Sequence, residues 1–210
     1  MTSIGYAPGS TTLGGIAYQL DALGQQIHVD GSYGRVALPS ASGPATYDAG
    51  DQRADTTYDG DGNVTAAGTR TYTWNARGQV TAAGTTTYGY DALGRQAART
   101  AAGTTTSYLY DGLNAVQEKA GTATADPLTC GVDEVFARNS RSLLTDALGS
   151  TIGSANTSSV AGEHTYDPFG TTTVTGDDQG NPARFAGRSD EGNGLYQYRN
   201  RFYSTTDQRS

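Results

Sequence analysis

One phrase recurs along this chain and leaves few folds open to it. A tyrosine, often with a second aromatic two residues on, is followed by Asp or Asn, two further residues, and Gly. Tyr88-Gly89-Tyr90-Asp91-Ala92-Leu93-Gly94-Arg95 is the clearest copy. Tyr72-Thr73-Trp74-Asn75-Ala76-Arg77-Gly78 precedes it by 16 residues, and Tyr108-Leu109-Tyr110-Asp111-Gly112-Leu113-Asn114 follows it by 20. Shorter copies open at Asp21, Tyr47-Asp48, Tyr58-Asp59, Asp146 and Tyr166-Asp167. Self-similarity at a nearly fixed period means one supersecondary unit stacked many times.

The spacing has a steric reading. Asp or Asn opens a type I turn because its side chain bonds the backbone two residues on. Three residues later the chain needs positive φ to return in register. Gly supplies that without penalty, and Asn is the next best choice. The position holds Gly24, Gly62, Gly78, Gly94, Gly149 and Gly170, with Asn114 expected to serve in its copy. Only the Tyr47-Asp48 copy breaks the rule, its Gly50 falling one place early. Such a phrase predicts a three- to five-residue hairpin loop with a bulge at the left-handed residue. The turn positions Asn75, Gly78, Asp91, Gly94, Asp111, Asn114, Asp146, Gly149, Asp167 and Gly170 are therefore expected to be structural. Stretches such as Ala82-Ala83-Gly84-Thr85 read as the opposite turn. Thr86, Tyr88 and Tyr90 alternate as strands do, and Gly interrupts every apolar run before a helical period can develop. The expected class is all-β, built of antiparallel hairpins.

Ile, Leu, Val and Phe make up only about one residue in seven, a level at which disorder must be weighed. The regular turns, modest charge and 14 tyrosines argue for a folded chain. Tyr buries a ring and keeps a polar tip for a partner. The repeat aromatics Tyr72, Trp74, Tyr88, Tyr90, Tyr108, Tyr110, Tyr196 and Tyr198 are read as packing residues, rings set against rings on successive hairpins. The other use of such a row is stacking on sugars.

A net charge of −7 disfavours nucleic acid as a partner. Arg184, Arg188, Arg199, Arg201 and Arg209 make the last stretch locally basic, and pairing with nearby carboxylates is the expected reason. Cys130 is the only cysteine, so there is no internal disulfide, and an idle thiol is expected. No run of apolar residues is long enough to form a membrane span, and the start lacks the pattern of a signal peptide. Asp59-Gly60-Asp61-Gly62-Asn63 has alternating oxygen ligands but lacks the rest of a calcium loop, and it also fits the repeat turn. His28 and His164 have no second ligand at metal spacing. His164 is expected to be a satisfied strand residue, and Asp177-Asp178 and Asp190-Glu191 to be solvated turns. No catalytic residue, metal site or cofactor is expected.

These phrases resemble the YD repeats of RHS proteins, and residues 108–207 resemble the RHS repeat-associated core region. The matching blocks run in order: Tyr108 to Glu118, Gly131 to Arg138, Leu144 to Ser150, Tyr166 to Gly170, Asn181 to Arg188, and Gly194 to Ser204. On this reading, 1–39 is a degenerate repeat or irregular segment, 40–120 the repeat hairpins, 121–207 the core region, and 208–210 a truncated end. The resemblance implies hairpins coiled into a β-shell that encloses a C-terminal toxin delivered to competing cells. The partners would be the rest of the shell and that toxin, or cell-surface carbohydrate if the repeats serve as a binding module. Location would be secreted or at the cell surface. Family members carry an aspartyl autoprotease with paired Asp-Pro-x-Gly motifs after the core region. Asp167-Pro168-Phe169-Gly170 has that form but falls in the earlier, non-catalytic block, and the chain stops before the motifs. The expectation is a shell segment without activity of its own.

Overall fold

A computed structural model describes residues 2–39, 41, 43–124, 126–131 and 134–209. Ser40, which opens the repeat segment, Val132 and Asp133 of the second core block, and Ser210 lie outside the described residues. Among the described residues, regular structure is strand apart from one 3₁₀ turn, Phe185–Gly187, and the strand registers are antiparallel, so the all-β expectation holds.

The chain opens with three strands, β1 (Ser3–Tyr6), β2 (Gly14–Leu20) and β3 (Gln26–Asp30), paired in sequence order. Eight strands of the repeat stretch follow: β4 (Thr56–Tyr58), β5 (Val64–Ala67), β6 (Arg70–Trp74), β7 (Val80–Ala83), β8 (Thr86–Tyr90), β9 (Gln96–Ala101), β10 (Thr104–Asp111) and β11 (Asn114–Ala120). Each pairs with the next, as short connections dictate. A second run comprises β12 (Asp126–Cys130), β13 (Val135–Arg138), β14 (Arg141–Thr145), β15 (Thr151–Ala155), β16 (Val160–Tyr166) and β17 (Thr172–Gly176). Three short strands close the chain: β18 (Ser189–Asp190), β19 (Leu195–Tyr198) and β20 (Arg201–Ser204).

The strands gather into two compact units, and the boundaries cross the sequence order. One unit joins the first 39 residues to Pro127–Tyr196; the other joins Ser40–Asp126 to Gln197–Ser210. In the first, Ile16 and Tyr33 meet Leu144, Ile152, Ala155 and Tyr166 in one apolar cluster. The opening strands are tied down by hydrogen bonds spanning more than a hundred residues. Tyr6 Oη donates to the Thr145 carbonyl at 2.6 Å, and the Ala147 N–H donates to Tyr18 Oη at 3.0 Å. In the second unit, Val80, Ala83 and Tyr88 are buried, and Phe202 sets its ring 4.8 Å from that of Tyr88. Arg70 donates to Ser204 and Thr206, each at 3.2 Å.

Candidate functional site

The phrase that repeats in sequence also repeats atom by atom. In seven copies, opened by Asp21, Asp48, Asp59, Asn75, Asp91, Asp146 and Asp167, one side-chain oxygen accepts two backbone N–H groups, two and four residues on, at 2.8–3.1 Å. Their own N–H donates to the carbonyl four residues on, and the left-handed residue's N–H returns to their carbonyl. The turn is thus closed by four hydrogen bonds. The carboxylates or amide that open it are consumed in holding backbone.

Gly78, Gly94, Gly149 and Gly170 have φ of 69°, 83°, 84° and 90°, as the steric reading requires. Two copies correct it. The Tyr47-Asp48 copy is geometrically complete, because Asp51 takes the left-handed place at φ 59°. Asn114 is not left-handed: Asp111 pairs directly with Asn114, leaving a two-residue loop, and Gly112 carries the positive φ at 58°. A shorter loop moves the strained position two residues earlier.

The aromatic residue before each turn does something that ring-on-ring packing does not describe. Trp74 Nε1 donates to the Val64 carbonyl at 2.7 Å, Tyr90 Oη to Val80 at 2.6 Å, and Tyr110 Oη to Gln96 at 2.9 Å. Tyr166 Oη donates to Thr151 at 2.5 Å, and Tyr58 Oη accepts from the Arg53 N–H at 3.0 Å. In all five, the partner lies five residues after the residue that opens the preceding turn. Each of these five hairpins is latched to the one before through backbone, so the side chain at the partner position is unconstrained: Val, Gln and Thr offer a carbonyl there, and Arg53 offers its N–H. Trp substitutes for Tyr because both end in a donor. Each latch contributes about 1 kcal/mol by the usual net value of such a bond.

The remaining aromatics are placed differently. Tyr88 is buried against Phe202, and Tyr198 meets Tyr203 edge-on at 5.8 Å. Tyr196 is buried beside Phe185 and shares its hydroxyl with Thr172 Oγ1 at 2.6 Å and the Gly170 carbonyl at 3.1 Å. Burial pushes its phenol up to about 12. Tyr72 and Tyr108 lie half-buried on β6 and β10.

Asp59 spends both oxygens inside its own turn: one on the Asp61 and Asn63 N–H groups, the other on the Asn63 amide at 2.9 Å. The Asn63 side chain and backbone hold this carboxyl below the usual range. The calcium-like spacing is therefore the repeat turn itself. Among the described residues, no cluster of three or more His, Cys, Asp or Glu side chains could hold a metal. Asp167 sits in a turn of the same four-bond geometry as the other six copies. Cys130 is half-buried, and burial pushes its thiol up.

A polar network in the first unit was not legible in the sequence. His164 is 1% exposed, with Nε2 3.2 Å from Asp178 Oδ2. That oxygen lies 3.4 Å from Arg184 Nη2, and Arg184 Nη1 is 2.5 Å from Asp190. Asn181 and Glu191 are each 1% exposed. The acidic pairs expected to be solvated turns are instead inward-facing at Asp178, Asp190 and Glu191, because the 177–191 segment folds back along β16. Arg184 pairs with carboxylates, as the basic stretch suggested. His164 is only half satisfied: Nδ1 is buried with no hydrogen-bond partner among the described residues.

No family model and no curated protein sequence matches the chain. Solved structures do. A crystal structure of TcdB2-TccC3 aligns over 97% of the chain with a TM-score of 0.70 and 13% identity, and the chain spans 16% of that protein. A TcdB2-TccC3 structure without the hypervariable C-terminal region aligns over 97% at 0.63 and 14%, again spanning 16% of that protein. A Photorhabdus luminescens Tc holotoxin pore carrying a TccC3 substitution aligns over 93% at 0.61 and 14%, spanning 15%. The chain shares its all-β fold with the stretch of these TcdB2-TccC3 structures to which it aligns.

Proposed function

We propose that this chain is wall material: a segment of an RHS-type shell whose work is to stack hairpins into a barrier around an enclosed toxin, with no catalysis of its own. The observation that carries the reading is the latch. Four successive pairs of hairpins, and a fifth pair at Tyr166, are joined through the same backbone position, and the polar tips of those aromatics are spent on that joint. A repeat built so that side chains fix neighbours while leaving sequence free suits a long self-stacking wall, and the fold likeness supports it. The partners are then the remaining shell and the enclosed toxin, and the setting is a secreted assembly. The carbohydrate-binding alternative is the weaker reading, because the aromatic tips that a sugar would meet are engaged with their own sheet.

Two measurements test this. The full-length product of the gene, examined by electron microscopy and limited proteolysis, should be a hollow particle whose downstream segment resists protease until the shell is opened. An extended, solid or freely digested product overturns the proposal. The chain itself, held at neutral pH, should keep one mass. A specific internal cut that disappears in Asp167→Ala would refute the absence of activity.

A further inference from the structure

We infer that His164 is an acid-sensitive clasp: as a neutral imidazole it holds the 177–191 segment onto β16, and on protonation it lets that segment go. The inference is independent of whether the chain encloses anything.

His164 lies in the middle of β16, opposite Val174 of β17. Its Nε2–H donates to Asp178, which sits just beyond β17. Asp178 also receives Arg184, and Arg184 reaches Asp190, so one carboxylate joins the imidazole to both ends of the segment. The segment is also held at its first residues by Arg141 to Asp177 at 3.1 Å, Arg138 to the Gln179 carbonyl at 2.8 Å and the Asp177 N–H to the Ala161 carbonyl at 2.8 Å. Further along it is held by the Thr151 N–H to the Arg184 carbonyl at 3.2 Å and the Ala186 N–H to Ser150 Oγ at 3.1 Å, so what the imidazole controls is the Asp178 end.

The charged groups facing the ring come from two places. Asp178 and Arg184 come from the segment, where Arg184 also binds Asp190, and Arg35 comes from the stretch after β3, where it is paired with Glu163 on the other face of β16. Around the neutral ring, Arg184 is shared between Asp178 and Asp190, and Arg35 is paired with Glu163. A proton added at Nδ1 changes three things. It places an N–H in a buried position with no acceptor, which costs the desolvation of an unpaired donor. It places a cation in a site without water contact. It also sets that cation near Arg184, which is already bound to Asp178 and Asp190, and near Arg35. The attraction of Asp178 opposes these terms. Burial outweighs it and holds the imidazole below its ordinary range.

The sign follows from linkage. A histidine whose folded pKa lies below its unfolded value of about 6.5 leaves stability undiminished above that pH. Stability is lost as pH falls, because the unfolded or opened form binds the proton more readily. The opening is local because the imidazole's hydrogen-bond partner, Asp178, belongs to the 177–191 segment.

The chain has two histidines, and His28 is exposed on β3, so it is an internal control. Thermal unfolding and hydrogen exchange of the 177–191 segment, corrected for intrinsic rate, should be followed from about pH 8 to about pH 5. The parent chain should show a falling melting midpoint and a several-fold rise in exchange confined to that segment. His164→Gln, which keeps a donor for Asp178 and cannot ionise, should flatten both profiles, and His28→Gln should leave them unchanged. An unchanged profile in His164→Gln overturns the inference. Should that variant fail to fold, imidazole NMR of the parent chain decides: His164 titrating below His28 supports the clasp, and His164 titrating at or above it overturns the clasp.

Discussion

The repeat sheet β4–β11 and the region β12–β17 are built from the same hairpin, yet they are held together in opposite ways. In the repeat sheet, the contacts that define each hairpin are local. The turn closes on itself within five residues, and the aromatic latch reaches back 10 to 14 residues, to Val64, Val80 and Gln96. In β12–β17 the same turns and latch recur at Asp146 and Tyr166, but the faces are covered by distant chain. Ile16 and Tyr33 fill the cluster around Leu144 and Ile152, Tyr6 bonds Thr145, and the 177–191 segment packs buried polar groups against β16. The difference teaches that one local code is reused in two environments, one shallow and one deeply buried. Identical substitutions should therefore have unequal costs.

The widest gap should appear at the left-handed glycines. At Gly94, a Cβ would lie 3.3 Å from the flexible end of Gln79, so Gly94→Ala meets mainly the left-handed penalty of about 1–2 kcal/mol. At Gly170, the Cβ would lie 2.7 Å from the Phe185 ring, which is wedged between Tyr166 and Tyr196. Overpacking should add about 1–3 kcal/mol there. Urea unfolding of both variants measures the difference, and equal losses would break the comparison.

A smaller gap is expected at the latches. Tyr90→Phe should cost about 1 kcal/mol, the net value of one hydrogen bond in a half-buried setting. Tyr166 is 9% exposed, and its removal leaves a carbonyl without water, so Tyr166→Phe should cost nearer about 2 kcal/mol by the penalty for an unsatisfied buried group. Melting midpoints in one buffer rank the pair.

The smallest effect, and one of opposite sign, is expected at the turn openers. Asn75 shows that an amide can make the same four bonds. Asp91 also pairs with Arg95 at 2.7 Å, so Asp91→Asn should cost little, since an exposed ion pair is screened by solvent. Burial raises the Asp146 carboxyl above its ordinary range, so its charged form is disfavoured in the fold. Such a carboxyl withholds stability as pH rises through its unfolded value, and Asp146→Asn should be neutral or stabilising at pH 7. Unfolding midpoints at pH 7 and at acid pH check the sign.

The sequence by itself determined the hairpin. A phrase of Asp or Asn with Gly three residues on has one sterically sound reading, and it set the class, the strand order and six left-handed glycines. It also pointed to the aromatics as the residues joining neighbouring hairpins. It could not say that they join through backbone, because a carbonyl acceptor leaves no mark on residue type. It misplaced the strain at Asn114, where loop length overrode residue preference. Only the tertiary structure decided which chain covers which face. The burial of Asp178, Asp190 and Glu191, the orphaned nitrogen of His164, and the docking of residues 2–39 on β14–β16 depend on segments brought together across more than a hundred residues in places. Local steric rules act over a few residues and are written in the sequence. Burial depends on what arrives from elsewhere in the chain, and no single stretch of sequence encodes it.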